Sequence, residues 1–306
     1  MPAVISHYLL AERVFNSLTE YYPQLNLNHT AFLWGSYGPD IFFSHRVLPW
    51  QKEKSLSHIS TKMHHTDADK ILNYLMSYAR NAESTIAESY ALGFVTHYAF
   101  DCTAHPFVVY FAEVMSKNNP SMHTSICHND IEANLDTIFL KYETSQKINS
   151  FKLSKTSPID KKVSEIIADM LHSYFISYNV GNISCKEIIQ VQHDWHNSLV
   201  LLNDRTTLKK PLVRLGEKIL HISPMLSPIV RTPYPDLSFD YANMKHTQWY
   251  KQSNPEEARN ESFFELVNIA EQLSLKLITN LLSGRNLTHE QCTDTFSGTV
   301  QTTQAK

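Results

Sequence analysis

The chain has 306 residues, 42% of them hydrophobic, and a formal net charge of -3. That length supplies a large core in one domain or two. The near-neutral balance excludes a sequence-independent nucleic-acid binder, which needs a basic surface, but leaves open an enzyme that draws a phosphate ester into a metal site. Four cysteines, Cys102, Cys127, Cys185 and Cys292, show no CxxC spacing, so they indicate neither a thiolate zinc site nor a disulfide scaffold.

Only seven glycines occur and β-branched alternation is scarce, so helices are expected to dominate. The first stretch, MPAVISHYLLAERVFNSL, has no basic leader, and Ser6, His7, Glu12 and Arg13 interrupt its apolar residues. It reads as a helix from Ala3 to Leu18, not as a signal peptide or membrane span, and the expected compartment is the cytoplasm. FLWGSYGPD follows, where Gly35, Gly38 and Pro39 oppose regular helix. Helical periodicity returns over Thr61 to Arg80. Ser84 to Met115 reads as one long helix or two joined near Pro106, because proline removes an internal hydrogen bond. His123 to Tyr142, Ile159 to Tyr178 and Ser184 to Leu202 read as further helices. Four prolines between His221 and Leu237 make a long connection. A last amphipathic helix runs from about Ser262 to Leu282, and residues 285–306 read as a polar, disordered tail. No repeat and no linker divides residues 1–284.

Sixteen histidines are present, ten of them before residue 129. Within THYAFDCTAH, residues His97, Asp101 and His105 fall four apart. At about 100° per residue, each step drifts by only about 40°, so the three project from one stripe. Imidazole nitrogen and carboxylate oxygen are ligands that zinc accepts. Leu92, Phe94, Tyr98, Phe100 and Phe107 surround the stripe. A helix this apolar is expected to be buried, where three uncompensated polar groups are costly. A bound cation removes that cost; the competing reading is a polar seam in which the three bond to each other or to water.

A second helix repeats the spacing. In HNDIEANLD, His128, Glu132 and Asp136 are again four apart, which suits a site built from facing helices. Asp136 is suited to orient a ligating imidazole from behind, although an exposed helix with i,i+4 hydrogen bonds has the same pattern. Asp40 sits in GPDIFF, either a functional loop carboxylate or an ordinary turn or cap residue. His64 and His65 open a helix in KMHHTDAD, and only one of them can face a site. His7 lies on the first helix. Together these make about nine nitrogen and oxygen ligands, enough for two or three metals.

The order H…GPD…H…THYxxDxxxHP…HxxxE resembles the bacterial zinc-dependent phospholipase C family, whose domain also occurs in phospholipases D. More distantly it is similar to fungal zinc nucleases of single-stranded nucleic acid. The motifs lie in residues 1 to about 145; HTQWY and FFELVNIAEQLSLKLI resemble the family in pattern only. The resemblance implies an all-α fold, a single multi-helix domain enclosing a cluster of up to three zinc ions. One zinc would take Asp40, His64, His97 and Asp101, and a second His105, His128 and Glu132. The third would take His7, Asp101 as a bridge, and the amino group of the chain terminus. His64 is preferred to His65 because it follows an apolar residue, Met63. Two departures stand out. Secreted members begin with a processed Trp, whereas here removal of Met1 would present the amine of Pro2. In the phosphatidylcholine-cleaving members an aromatic follows the metal-site Asp; here Ile41 does, with Phe42 and Phe43 beyond it, so a choline preference does not follow.

The implied activity is hydrolysis of phospholipid head groups by zinc-activated water, with Asp40 as ligand or general base. The implied partner is a phospholipid or other phosphodiester, met by transient contact with a membrane surface, and no stable nucleic-acid binding is expected. A zinc nuclease is the enzymatic alternative, with Trp34, Tyr37 and Trp50 as base-stacking residues. A non-catalytic helical protein stabilised by metal is the other.

Overall fold

The computed structural model describes residues 3–47, 51, 53–120, 122–222, 224, 226–235 and 239–299. Its axis is α5 (Thr85–Asn118), about 50 Å long at 1.5 Å per residue. Ser84 starts it by accepting from the Ala87 amide. Apolar residues occur all round this helix, so it is buried on nearly every face as far as Ala112. Pro106 does not divide it; one helix runs through.

The other elements wrap this axis. α1 (Val4–Tyr21) lies against α5 and against α6 (Thr124–Thr144). α2 (His29–Gly35), α4 (Ala68–Asn81) and α10 (Phe263–Leu282) pack along α5. α2 comes unusually close: a Cβ at Gly35 would lie 2.1 Å from the Tyr90 carbonyl oxygen, and one at Gly93 2.1 Å from that of Phe32. Two glycines therefore let the backbones touch. α7 (Lys161–Ser177) and α8 (Cys185–Leu202) form a pair beside them. Capping boxes at Ser184–Glu187 and Ser262–Glu265 start α8 and α10. The fold is all-α apart from one hairpin. No helix among the described residues is long and apolar enough to cross a membrane.

Four segments differ from the sequence-based expectation. FLWGSYGPD is helical in two pieces, α2 and a 3₁₀ helix over Gly38–Ser44. The helix expected over Thr61 to Arg80 is two, α3 (Ser57–His64) and α4. His64 and His65 thus end a helix and do not open one. The physical reason is that α3 packs on the 3₁₀ helix while α4 packs on α5 and α7, and two partners in different directions need a corner. Next, α9 (Lys209–Ile219) and the hairpin of β1 (Trp249–Lys251) with β2 (Asn254–Arg259) occupy stretches to which the sequence-based expectation assigns no element. Pro211 is tolerated in the first turn of α9, where its missing N–H has no partner to lose. Arg259 covers the buried Trp249 ring at 4.7 Å.

The fourth is the tail. A disordered segment from residue 285 is contradicted over 285–299, where Leu287, Cys292 and Phe296 are buried. The Asn73 side chain brackets Leu287, donating to its carbonyl and accepting from its amide, both at 2.8 Å. Three apolar side chains in a polar stretch are enough to dock it. Residues 300–306 lie outside the described residues.

Candidate metal centre

The stripe on α5 is where the structure concentrates polar groups in the core. His97 is fully buried and Asp101 nearly so. Their i,i+4 spacing puts His97 Nε2 3.3 Å from Asp101 Oδ2. Three other elements bring side chains to the same point. From α1, His7 Nε2 lies 3.1 Å from Asp101 Oδ1. From the last turn of α3, His64 Nε2 lies 3.2 Å from Asp40 Oδ1 and 3.5 Å from Asp101 Oδ2. Asp40 comes from the 3₁₀ helix, whose backbone is held against His97 by Gly38 (φ 49°); a Cβ there would lie 2.2 Å from the imidazole Cδ2.

The second helix completes the wall. On α6, His128 Nε2 lies 3.2 Å from Glu132 Oε1, and the His128 ring is 5.1 Å from that of His105. Asp40, His64, Asp101, His105, His128 and Glu132 line one cleft of about 450 Å³, with Phe43, Asn129 and Ser297. His7 and His97 stand behind it.

Backbone carbonyls set the direction of three rings. His64 Nδ1 donates to Ser60 O at 2.8 Å, His97 Nδ1 to Ser36 O at 3.2 Å, and His105 Nδ1 to Ser297 O at 3.3 Å. A carbonyl can only accept, so Nδ1 carries the proton and Nε2 is left for the interior. For His97 this has a consequence. Burial pushes its pKa down to about 4 against the pull of Asp101 and Asp40, so the ring is neutral near pH 7. Its Nε2 is then a bare lone pair facing a carboxylate oxygen at 3.3 Å, two acceptors with no hydrogen between them.

Other atoms in the group are in the same position. His7 Nδ1, Asp40 Oδ2 and His97 Nε2 are buried without a hydrogen-bond partner, which is costly. His7, Asp40, His97 and Asp101 each offer one ligand atom, all within 4.8 Å of one another. Zinc–nitrogen and zinc–oxygen bonds of about 2.0–2.1 Å in a tetrahedron require ligand atoms roughly 3.3 Å apart. The separations of 3.1 to 3.5 Å about Asp101 match this. The donor set therefore fits a divalent cation.

Without a cation the charges must balance by protons. Burial disfavours a charged His64, but Asp101 and Asp40 outweigh it and push the pKa up to about 10. His7 is likewise raised against burial, chiefly by Asp101. Asp101 is itself held well below the usual carboxylate range: burial opposes its charge, and the surrounding imidazoles outweigh burial. Hydrogen bonds from His64 and His7 act in that direction together with the charge of the His97 imidazole, the strongest of the three. Burial lowers the His105 pKa, with His128 adding to the effect, while Glu132 raises that of His128 against burial.

Three expected roles fare differently. Asp136 touches no imidazole. Its carboxylate accepts from the Ile5 and Ser6 amides and from Ser6 Oγ at 2.8–3.1 Å. It also takes a buried ion pair from Arg231 at 2.6 Å. It thus anchors the first turn of α1, which carries His7, and does not orient a ligand directly. His65 is exposed and turns its Nδ1 to Thr61 O; it lines the same cleft, but of the two histidines only His64 reaches Asp40 and Asp101. Pro2 and Trp50 lie outside the described residues. Trp34 and Tyr37 are buried, donating to the carbonyls of Pro158 and Thr156, and neither can stack on a base. Phe43 instead lines the cleft, its ring 5.9 Å from that of His64.

Sequence reasoning missed Ser36, Ser297 and Phe296, whose ring lies 5.9 Å from His97. Any residue's carbonyl can accept from an imidazole, so these positions carry no signature. Ser60 was in principle legible, four residues before His64 on the same helix.

The geometry thus joins His7, Asp40, His64, His97 and Asp101 in one group, with His105, His128 and Glu132 beside it. The model of the family described as zinc dependent phospholipase C matches residues 6–181, more than half of the chain and all eight of these residues. Neither a curated protein nor a solved structure matches the chain. An interior that presents bare ligand atoms at zinc-like separations, inside a span with that family's pattern, places the chain in the zinc-dependent phospholipase C family.

Proposed function

We propose that the protein hydrolyses the head-group phosphodiester of phospholipids, using up to three zinc ions held in the cleft. The observation that carries this reading is the buried group of His7, Asp40, His97 and Asp101, whose ligand atoms lie within 4.8 Å of one another and include the unpartnered His97 Nε2. Asp40, His64, His97 and Asp101 would hold one ion, His105, His128 and Glu132 a second, and His7 with Asp101 a third. Zinc bound there supplies Lewis-acid charge for the phosphodiester and acidifies water.

The chain's own groups do the rest. Asp40 keeps Oδ2 free of any hydrogen bond among the described residues, and it orients the attacking water and takes its proton. Ser36, Ser60 and Ser297 hold the imidazole rings, so that little reorganisation accompanies reaction. Phe43 forms an apolar wall beside His64 where the head group enters. The buried positions of Trp34 and Tyr37 remove two of the three aromatics that a nuclease would have used for stacking.

Metal analysis of the protein purified without chelator, beside hydrolysis of phosphatidylcholine, phosphatidylethanolamine and phosphatidylglycerol, tests this directly. About three zinc ions per chain and release of diacylglycerol are expected. Absence of bound metal would sink both the ligand assignment and the reaction. Zinc bound with no hydrolysis of any lipid would leave a metal-stabilised structural protein.

A further inference from the structure

Half of the exposed large apolar side chains among the described residues fall between Val200 and Leu226. Their centre is α9. Leu208, Leu212, Leu215 and Ile219 recur at helical spacing, and at about 100° per residue they share an arc roughly 60° wide. They are 60%, 63%, 53% and 66% exposed. The one buried residue of α9 is Glu217. Its Oε1 accepts from the amides of Leu226 at 2.7 Å and Ser227 at 3.1 Å. The polarity of the helix is inverted: a carboxylate faces the protein and leucines face outward.

This pose is built into the chain. Asp204 Oδ2 accepts from the amides of Lys209 and Lys210 at the start of the helix. Lys210 reaches Asp130 at 3.7 Å. Asp130 lies between His128 and Glu132 on α6, and its neighbour Asn129 lines the cleft. The apolar stripe is therefore tethered to α6, the helix that carries His128 and Glu132 on its other face.

The charges beside the stripe narrow what covers it. Between Arg205 and Lys218 the only acidic residue is the inward-facing Glu217. Arg214 and Lys218 are exposed along one edge of the stripe. Their stems can lie on apolar material while the cationic heads reach phosphates. A second copy of the chain would bring these like charges together in a two-fold contact, which costs association energy. An anionic bilayer meets both the leucines and the cations.

We propose that α9, with Leu208 before it and Leu220 and Ile222 after it, is a surface helix that docks the protein on anionic phospholipid membranes. Its purpose, though not its chemistry, rests on the reading of the cleft as a phospholipid hydrolase. The test is co-sedimentation of the full chain with vesicles of equal parts phosphatidylcholine and phosphatidylglycerol. Hydrolysis of the soluble ester bis(p-nitrophenyl) phosphate is followed in parallel. Wild type should sediment with the vesicles, and hydrogen exchange should slow in α9 when they are present. Leu212→Glu/Leu215→Glu should weaken sedimentation at least about tenfold, and Arg214→Glu/Lys218→Glu by about tenfold or more. Both should keep wild-type zinc content and soluble-ester hydrolysis. His97→Ala should do the reverse, binding vesicles while losing hydrolysis, so failure of docking and failure of the hydrolase reading are separate results. Docking is overturned if wild type ignores the vesicles. It is equally overturned if Leu212→Glu/Leu215→Glu sediments undiminished, or if α9 is already covered in a stable dimer.

Discussion

α5 and α9 break the inside–outside rule in opposite directions. α5 takes a histidine–carboxylate group into the apolar core, and α9 turns leucines to water while burying a glutamate. Neither arrangement is at rest in a protein considered alone. Each becomes reasonable when the missing neighbour has the opposite character, a cation in one case and a lipid surface in the other. The contrast shows that patterning errors are informative when they are held by built contacts. Ser36, Ser60 and Ser297 fix the imidazoles, and Asp204 and Asp130 fix α9.

The comparison breaks most sharply at Asp101. Asp101→Ala removes the carboxylate common to His7, His64 and His97. Zinc stoichiometry should fall, and phospholipid hydrolysis by roughly a thousandfold or more, the scale of losing a principal electrostatic stabiliser. Activity within a few-fold of wild type would show that the core group on α5 is only a polar seam.

Asp136 comes next, because it leaves a buried cation behind. Asp136→Ala removes the buried ion pair with Arg231 and frees the first turn of α1. Breaking a buried pair this way costs about 3–5 kcal/mol, measurable by urea unfolding. A smaller loss, about 1 kcal/mol or less, would mean that α1 is held by packing and not by this carboxylate.

A third test uses pH on chelator-treated protein. His64 has a folded pKa of about 10 against an unfolded value of about 6.5. Its contribution is therefore present in full below about pH 6.5 and is lost as pH rises through about 10. His97, depressed to about 4, acts in the other sense: its contribution is present above about 6.5 and is lost as pH falls towards 4. Metal-free Tm should decline on both sides of a maximum near pH 6 to 7. With zinc the alkaline decline should shrink or reverse, since metal and protons compete for the same nitrogens. His64→Ala should flatten the alkaline limb; an unchanged limb would assign it to other groups.

The smallest effect sharpens the contrast from the other side. Leu212→Glu on α9 should change unfolding free energy by no more than about 0.5 kcal/mol, because its side chain is 63% exposed. A large destabilisation would mean that the leucine stripe packs on the protein itself.

Much of the candidate metal centre was legible because helix geometry is local. Four-residue spacing puts His97 beside Asp101, and His128 beside Glu132, whatever the rest of the chain does. The burial of α5 was legible too, since an apolar stretch that shows no polar face must be enclosed, but not its continuity through Pro106. α9 was not, because Pro211 and Gly216 interrupt its pattern and its apolar residues face outward. The hairpin was not either, as NPEEAR carries no strand pattern and β2 is almost wholly exposed.

By itself, then, the sequence determined the histidine–carboxylate pairing along single helices and the all-α character, each a consequence of backbone periodicity. The tertiary structure decided which of His64 and His65 faces inward, which follows from a corner between two packing partners. It decided that Asp136 serves α1 and Arg231 and no imidazole, a matter of what lies across the helix interface. It also decided that the last turns of chain return to hold His105 through Ser297 and to lay Phe296 near His97. Contacts between residues almost two hundred positions apart depend on how helices stack, and no local pattern encodes that.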